Sequence, residues 1–172
     1  MADIPAPQIR RLETPDAALY RDIRLDALQR SPEAFGSTFE WENARPLSWF
    51  EASLGRAAIF GAFLDGTLAG MAGFAAQESA KRAHKALLWG MYVRAAARNA
   101  GVGKSLVAAV LDHARGRVEM VQLTVVSENE AARRLYSAMG FVEYGYEKRA
   151  LKQDGKYYDD VLMVRFLEEG MS

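Results

Sequence analysis

Hydrophobic residues alternate along the chain between short continuous runs and stripes at helical spacing. The short runs predict β-strands, which fall at residues 7–12, 57–64, 67–76, 87–93, 120–126, 141–146 and 161–167. Apolar positions three and four residues apart predict helices at residues 15–30, 46–54, 103–115 and 127–139. The segment 33–45 mixes polar and aromatic residues without a period and is predicted to be irregular.

Capping residues indicate where the helices begin and end. Thr14 is the expected N-cap of the first helix, because a proline then takes the first helical position. Ser127 and Glu130 have the spacing of a capping box at the start of the last helix, and Gly140 is its expected C-terminal glycine. Tight turns are predicted at two aspartate–glycine pairs, Asp65–Gly66 and Asp154–Gly155.

The order of the elements indicates the fold class. Strand, two helices, hairpin, strand, helix, strand, helix and two strands predict an α/β (mixed α+β) fold with one central twisted sheet of six to seven strands. The sheet would be mostly antiparallel, with one parallel pair joined by a helix in a βαβ unit and about four flanking helices. No repeat or linker-like stretch divides the chain, so residues 1–172 are predicted to form a single domain.

The amino-acid composition argues against several classes of function. The 172-residue chain has no cysteine and only two histidines, His84 and His113, which excludes a thiolate zinc site and a cysteine nucleophile; no metal is expected. Its 22 basic and 22 acidic residues balance, so neither nucleic acid nor a membrane surface is an expected partner. Residues 1–5 lack a signal-peptide pattern and no apolar run has membrane-spanning length, so a cytoplasmic location is expected.

A glycine-containing loop, Arg98–Gly103, joins a predicted strand to a predicted helix. Backbone N–H groups at a helix N-terminus lack internal partners and bind anions. Gly101 and Gly103 would let a phosphate approach these groups without a side-chain clash. Positive charge is added by three neighbouring residues, Arg94, Arg98 and Lys104. The loop is therefore a candidate site for a diphosphate.

Other interpretations of this loop depend on single residues. A P-loop would need glycine at position 98, which is arginine, and the dinucleotide fingerprint would need its third glycine at Leu106. A nucleotide hydrolase that uses Gly103-Lys104-Ser105 is disfavoured by the same arginine. A glycine-rich turn that binds no ligand remains an alternative on the loop alone.

A second group of candidate residues lies on the last predicted helix. Asn129 is in its first turn, and Tyr136 follows seven residues later, about two turns along the same face. Alone, the asparagine is consistent with a solvated position in the first turn. A lone tyrosine at position 136 is more often a core residue, here in the stripe of Ala132, Leu135 and Met139. Together with the glycine loop, the two residues indicate a shared site.

In this combination the chain resembles the GNAT (GCN5-related N-acetyltransferase) superfamily. The resemblance runs from about Leu87 to Phe141 and rests on two motifs in the family's order. Residues 98–103, Arg-Asn-Ala-Gly-Val-Gly, match R/Q-x-x-G-x-G/A; residues 129–141, from Asn129 through Tyr136 to Gly140-Phe141, match N-x-x-A-x-x-L-Y-x-x-x-G-F. Residues 24–39 are similar, more loosely, to the family's variable acceptor-side segment.

The resemblance implies acetyl-CoA as the co-substrate and a set of binding residues. Gly90 would mark a bulge in the strand before the loop, and that strand would part from its neighbour to leave a slot for the pantetheine arm. Implied contacts with coenzyme A come from Met91, Tyr92, Val93, Arg98, Asn99, Ala100, Gly101, Val102, Gly103, Lys104, Asn129 and Tyr136.

The implied reaction is direct attack of a primary amine on the thioester, with Tyr136 as the general acid that protonates the leaving thiolate. Many family members carry a carboxylate on the bulged strand as the base, but residues 86–93 contain no acid. The candidate bases elsewhere are four carboxylates, Glu40, Glu78, Asp159 and Asp160. The acceptor would be a small-molecule amine or an amine of a peptide or protein.

The missing strand carboxylate also supports a different class of function, a non-catalytic acyl-CoA-binding or sensing module with the same fold. Tyr136 argues against this alternative, because binding alone needs no acid. Family members often form homodimers, so the resemblance implies a homodimer as well, although no sequence feature locates its interface.

Overall fold

The computed structural model describes residues 5–168. Residues 1–4, on which the expectation of no signal peptide partly rests, lie outside this range, as do residues 169–172. Seven strands form one sheet: β1 (Gln8–Arg11), β2 (Ala58–Leu64), β3 (Thr67–Ala76), β4 (Lys85–Val93), β5 (Met120–Val126), β6 (Val142–Gln153) and β7 (Lys156–Phe166). Five α-helices flank it in the described range: α1 (Ala17–Arg30), α2 (Phe39–Asn43), α3 (Leu47–Arg56), α4 (Val102–Ala114) and α5 (Glu130–Ala138).

The strand order across the sheet is β1-β2-β3-β4-β5-β7-β6. All neighbouring strands are antiparallel except β4 and β5, which are parallel and connected through α4. A parallel pair needs such a crossover, because the chain must return to the same end of the sheet. The predicted fold class, with a mostly antiparallel sheet and one βαβ unit, is confirmed.

The sheet carries a separate apolar core on each face. On one face, α4 contributes Leu106, Val107 and Val110 to a core shared with the inward residues of β5 and β7. On the other face, α1 and α3 cover β2 and β3, with Ile23 and Phe50 fully buried. Helices on both faces fix the sheet, so the ends of β4 and β5 are held in place for the site.

The parallel pair β4–β5 is short, and this creates a gap in the sheet. Registered pairing runs only over Lys85–Leu87 of β4 and Met120–Gln122 of β5. Beyond it, β4 bulges at Gly90: Met71 and Gly73 of β3 face Tyr92 and Trp89, so one extra residue is present on β4. Gly90 has φ +63°, a conformation that glycine adopts most readily. The bulge and slot that the family resemblance implied are present.

Two predicted helix starts are wrong, because α1 and α5 each begin later than the residue expected to cap them. Thr14 does not cap α1; it begins a 3-10 turn, Thr14–Asp16, whose N-cap is Glu13, and α1 starts at Ala17. Asn129, not Ser127, caps α5 through an Oδ1 that accepts from Ala132 N at 3.1 Å. Ser127 instead donates its backbone N–H to the carbonyl of Asp159 at 2.8 Å, which keeps it aligned with β7.

Two other segments are more regular than predicted. The segment 33–45, expected to be irregular, contains the end of a 3-10 turn, Pro32–Ala34, and helix α2, which Thr38 caps by accepting from Trp41 N. The last two strands extend much further than the predicted 141–146 and 161–167 and meet in the expected turn at Asp154–Gly155. Within residues 5–168, no helix is both long and apolar enough to cross a membrane.

Candidate functional site

A cleft of about 730 Å³ opens where β4 and β5 part. Its walls are the end of β4, the loop and first turn of α4, the inner side of α5, and the segment Ser31–Phe35 that follows α1. The predicted residues on its lining are Met91, Tyr92, Val93, Arg98, Asn99, Gly101, Val102, Gly103, Lys104, Asn129 and Tyr136. Ala100 is different: it does not line the cleft and packs against the core beneath α4.

The N-terminus of α4 faces this cleft with free backbone donors. Asn99 (φ +66°) and Gly101 (φ +76°) are both left-handed, which turns the chain sharply from the 3-10 turn Ala95–Ala97 into the helix. The first intrahelical bond is donated by Ser105 to Gly101 O at 3.1 Å. The N–H groups of residues 102–104 precede that bond, and with the positive end of the helix dipole they form a candidate anion site.

Glycine is required at positions 101 and 103 of the loop for different structural reasons. A Cβ at Gly101 would meet no atom within 4 Å, so the residue is glycine because of its positive φ. A Cβ at Gly103 would lie 3.0 Å from Leu135 Cδ2 and 3.2 Å from Met91 Cε. Gly103 therefore lets α4 pack closely on α5 and β4, whereas Gly101 shapes the turn.

Of the three cations near the loop, only two belong to the site. Lys104 is exposed on the cleft lining, and Arg98 lies there with its Nε donating to Val93 O at 3.2 Å. The Arg94 side chain is directed toward α1 and away from the α4 loop. It donates to Leu68 O at 2.9 Å and pairs with Asp22 at 2.8 Å and Asp26 at 3.3 Å. Arg94 thus ties β4 to α1, and the predicted phosphate role for its charge is wrong.

The exposed edge of β4 forms the floor of the slot. Because β5 pairs with β4 only as far as Leu87, the backbone of Met91, Tyr92 and Val93 has no strand neighbour on its β5 side. The Tyr92 side chain points away into the core, where its hydroxyl donates to Asp26 at 2.7 Å. Burial, with this hydrogen bond to Asp26 as a further cause, raises the pKa of Tyr92 to about 12. Tyr92 therefore offers the cleft its backbone and not an acid.

Helix α5 places the amide of Asn129 and the phenol of Tyr136 along the cleft. The Asn129 oxygen is used by the helix cap, which leaves the amide N–H₂ as the available donor. Tyr136 is only 5% exposed and its ring packs edge-on against Phe141, with centroids 5.8 Å apart. Burial raises the pKa of Tyr136 far above its usual value, so the hydroxyl stays protonated throughout the neutral range.

The four candidate bases are separated by the fold. Glu78 lies in the β3–β4 connection at the end of the sheet opposite the bulge, and Glu40 is exposed on α2. Asp159 accepts hydrogen bonds from Arg149 N and, with a smaller effect, from the Tyr146 hydroxyl, and both lower its pKa. Of the four, only Asp160 is buried, although it does not itself line the cleft.

Asp160 has the surroundings of a tuned carboxylate. It is 9% exposed, and it lies two residues after Tyr158, a lining residue of the cleft, so both share one face of β7. Burial, together with the negative charges of Glu147 and Asp159, raises its pKa above the usual range. Such a carboxylate is a better proton acceptor near neutral pH than a solvated aspartate.

Several residues of the acceptor side were not singled out from the sequence. Glu33 and Phe35 line the cleft. Nearby, Arg24 and Glu42 form a buried ion pair, with Nη2 to Oε1 at 2.8 Å. The segment 24–39 was expected on the acceptor side, but Arg24 lies on α1, Glu33 and Phe35 lie in or just after a 3-10 turn, and Glu42 lies on α2, so no single periodic pattern marks them as a group. Among residues 5–168, no cluster of three or more acidic or histidine side chains is arranged to hold a metal ion.

Comparisons with known proteins agree with this architecture. The model of the acetyltransferase (GNAT) family matches residues 18–141. The L-amino acid N-acetyltransferase AaaT of Escherichia coli is 28% identical over 161 residues, which cover 91% of this chain and 96% of that protein. A GNAT-family acetyltransferase from Streptococcus pneumoniae superposes with a TM-score of 0.84 at 25% identity, covering 94% and 99% of the two chains.

A further solved structure shares the fold, yncA from Salmonella typhimurium with its cofactor acetyl-CoA. Its TM-score is 0.79 at 21% identity, with 98% of both chains covered. The family model spans well over half of the chain, and the relatives are matched over nearly their whole length. The slot in the sheet, the anion site of α4 and these matches lead to one conclusion: the chain belongs to the GNAT family of acetyltransferases, which use acetyl-CoA.

Proposed function

We propose that this protein, as a single domain over residues 1–172, transfers the acetyl group of acetyl-CoA to a primary amine by direct attack, with Tyr136 as the general acid. The observation that carries the proposal is the cleft itself: the N-terminus of α4 presents free N–H groups to it, and α5 presents a buried, protonated phenol. The similarity to an L-amino acid N-acetyltransferase makes free amino acids the first acceptors to test.

The binding residues of the proposal divide by the chemistry they offer. The backbone of residues 101–104, with Arg98 and Lys104, suits the pyrophosphate, because oriented N–H groups and two cations meet there. The backbone edge of Met91–Val93 and the Asn129 amide suit the pantetheine amides. Asn99 shapes the loop through its left-handed backbone, and Ala100 supports it from the core.

The proposed reaction balances in its protons. The acceptor ammonium first loses one proton; the amine then attacks, the new N–C bond forms and the C–S bond breaks. The nitrogen loses a second proton to solvent as the amide forms, and the leaving thiolate receives one from the Tyr136 hydroxyl. The resulting phenolate regains a proton from solvent, so the ammonium and the thioester become an amide, a thiol and one released proton. The apolar surroundings that keep Tyr136 protonated disfavour a phenolate as well as a free thiolate, so the phenol is expected to donate as charge develops on sulfur and then to regain its own proton.

We propose Asp160 as the base for the first proton, acting through water from the face of β7 that it shares with Tyr158. We expect Asp160→Asn to lower kcat/KM by about 10- to 100-fold at neutral pH, at the low end of general-base effects. The carboxylate accepts a proton only when it is ionised. The ratio of wild-type to variant kcat/KM should therefore decrease at pH values below the raised pKa of Asp160. The ratio should also fall at alkaline pH, where the amine loses its proton unaided.

The measurement is a pH series of initial rates for both proteins. Asp159→Asn is the matched control, because Asp159 is adjacent but held by Tyr146 and Arg149. A wild-type to variant ratio that does not change with pH would remove Asp160 from the role of base.

The alternative, a non-catalytic acyl-CoA-binding module, predicts tight binding without turnover. Acetyl-CoA is mixed with the protein and a panel of amines that includes L-amino acids, polyamines and a peptide with a free N-terminus. Release of free thiol that depends on both protein and amine supports the enzyme. Measurable acetyl-CoA binding with no thiol release above background for any amine would favour the module.

A further inference from the structure

Arg24 is a buried cation, and one nitrogen of its guanidinium has no hydrogen-bond partner among residues 5–168. It sits in the middle of α1 and is 9% exposed; its partner Glu42, on α2, is 2% exposed. Nε donates to both carboxylate oxygens of Glu42, at 3.2 and 2.9 Å, and Nη2 donates to Oε1 at 2.8 Å. The third nitrogen, Nη1, makes no hydrogen bond to any residue within 5–168.

The unused nitrogen lies at the bulge of β4. A Cβ built on Gly90 would stand 3.7 Å from Arg24 Nη1, and no other heavy atom would come within 4 Å of it. The guanidinium carbon lies 5.2 Å from the centroid of the Phe35 ring, and Phe35 lines the cleft beside Met91. Nη1 therefore lies between the acceptor-side segment and the bulged backbone, and the absent side chain of Gly90 leaves it uncovered.

The chemistry of this nitrogen limits what it can bind. A guanidinium is always protonated and only donates, so its partner must be a hydrogen-bond acceptor, and a negatively charged oxygen makes the strongest bond. An acceptor's ammonium would be repelled from it. The group that Nη1 suits is a carboxylate carried on the acceptor next to its amine.

Glu42 has the role of a positioning residue in this arrangement. Its two oxygens hold Nε and Nη2, which fixes the plane of the guanidinium and directs Nη1 toward Gly90. A bidentate pair of this kind holds geometry better than a single contact, and few rotamers remain for a side chain this buried.

We propose that Arg24 Nη1 binds the carboxylate of the acceptor, and that the acceptor class is the free α-amino acids. This inference rests on the proposed acetyl transfer and deepens it. Amines without a carboxylate, and amino acid amides, would lose the charge-assisted bond and bind less well.

The test compares L-amino acids with their own primary amides as acceptors. Each pair shares its side chain and α-amine position, and differs in the carboxylate. The two amines differ in basicity, but that difference is the same for every protein variant and cancels when acid-to-amide ratios are compared between variants. The readout is kcat/KM for each acceptor, from thiol release at saturating acetyl-CoA.

The informative variant is Arg24→Met combined with Glu42→Leu, which removes both charges and leaves no unpaired buried ion. We expect its acid-to-amide ratio to fall by about 10- to 100-fold, mainly through KM for the acid, as for a lost charged hydrogen bond. Arg24→Lys keeps a cation for Glu42 without the planar guanidinium, and should lower the ratio in the same direction.

Arg21→Met is the matched control. Arg21 lies one turn earlier on α1 and also bridges to α2, through Asn43 at 3.1 Å, but its guanidinium lies over the Phe50 ring, 5.8 Å from the centroid, and not at Gly90. Its acid-to-amide ratio should stay at the wild-type value. Acetyl-CoA affinity and thermal stability are measured for all variants, so that a folding defect is recognised.

One result would overturn the inference while leaving acetyl transfer in place: an acid-to-amide ratio in the double variant equal to that of the wild type. Absence of thiol release with every amine would overturn the proposed function itself, and the two failures are therefore distinguishable.

Discussion

Replacing Tyr136 with phenylalanine is expected to lower kcat for acetyl transfer by about 10²- to 10⁴-fold, the usual range for loss of a general acid. The ring that packs on Phe141 is retained, so the core of α5 should remain intact. The Kd for acetyl-CoA should change by less than about threefold, because the pyrophosphate and pantetheine contacts of the proposal lie elsewhere. Stopped-flow thiol release and calorimetric titration measure the two quantities.

The pH dependence of the wild-type enzyme checks the same assignment. Burial raises the pKa of Tyr136 above its usual value of about 10, so the protonated, donating form persists as pH rises. We therefore expect no decline of kcat attributable to this residue below about pH 10. Tyr144→Phe on β6, an exposed tyrosine away from the cleft, is the control. A kcat for Tyr136→Phe equal to that of wild type would exclude the acid role.

The second large effect is expected for Gly101→Val. Residue 101 has φ +76°, and a β-branched side chain there costs about 1–3 kcal/mol or forces the loop to move. Either outcome disturbs the N–H groups at the start of α4, and the added side chain stands on the lining of the cleft. We expect acetyl-CoA to bind roughly 100-fold more weakly, since about 3 kcal/mol corresponds to that factor.

Gly116→Val separates backbone strain from loss of the site. Gly116 has φ +77°, equally open surroundings and a position just beyond the other end of α4. The two variants should lose similar thermal stability, but only Gly101→Val should lose affinity. Retention of wild-type affinity by Gly101→Val would mean that the α4 loop does not hold the phosphates.

Much of the fold was predictable because its signals are local. The glycine-containing loop before α4, the turn at Asp65–Gly66 and the stop at Gly140 each depend on a few neighbouring residues and their φ preferences. The bulge at Gly90 was also expected, since a glycine inside an apolar strand marks a place where pairing is interrupted. These features can be read from short windows of sequence.

The errors arose where a distant strand competed with a local signal. Ser127 and Glu130 have a good capping pattern, yet the carbonyl of Asp159 takes the Ser127 N–H and delays the start of α5 until Asn129. Arg94 is next to the cleft in sequence, but aspartates of α1, about seventy residues earlier, draw its side chain to the other side of β4. No window around either residue contains the competing partner.

The amino-acid sequence by itself determined the order of the elements, the loop of α4, the bulge and the family of the protein, because each depends on residue types at fixed spacing. Only the tertiary structure decided the electrostatics of the site. It buried Tyr136 and Asp160, left Asp159 and Glu40 to other partners or solvent, and brought Arg24 to Gly90 across 66 positions of sequence. Burial and charge pairing depend on segments that meet only after folding, and these set which acid, base and cation are available to the proposed reaction.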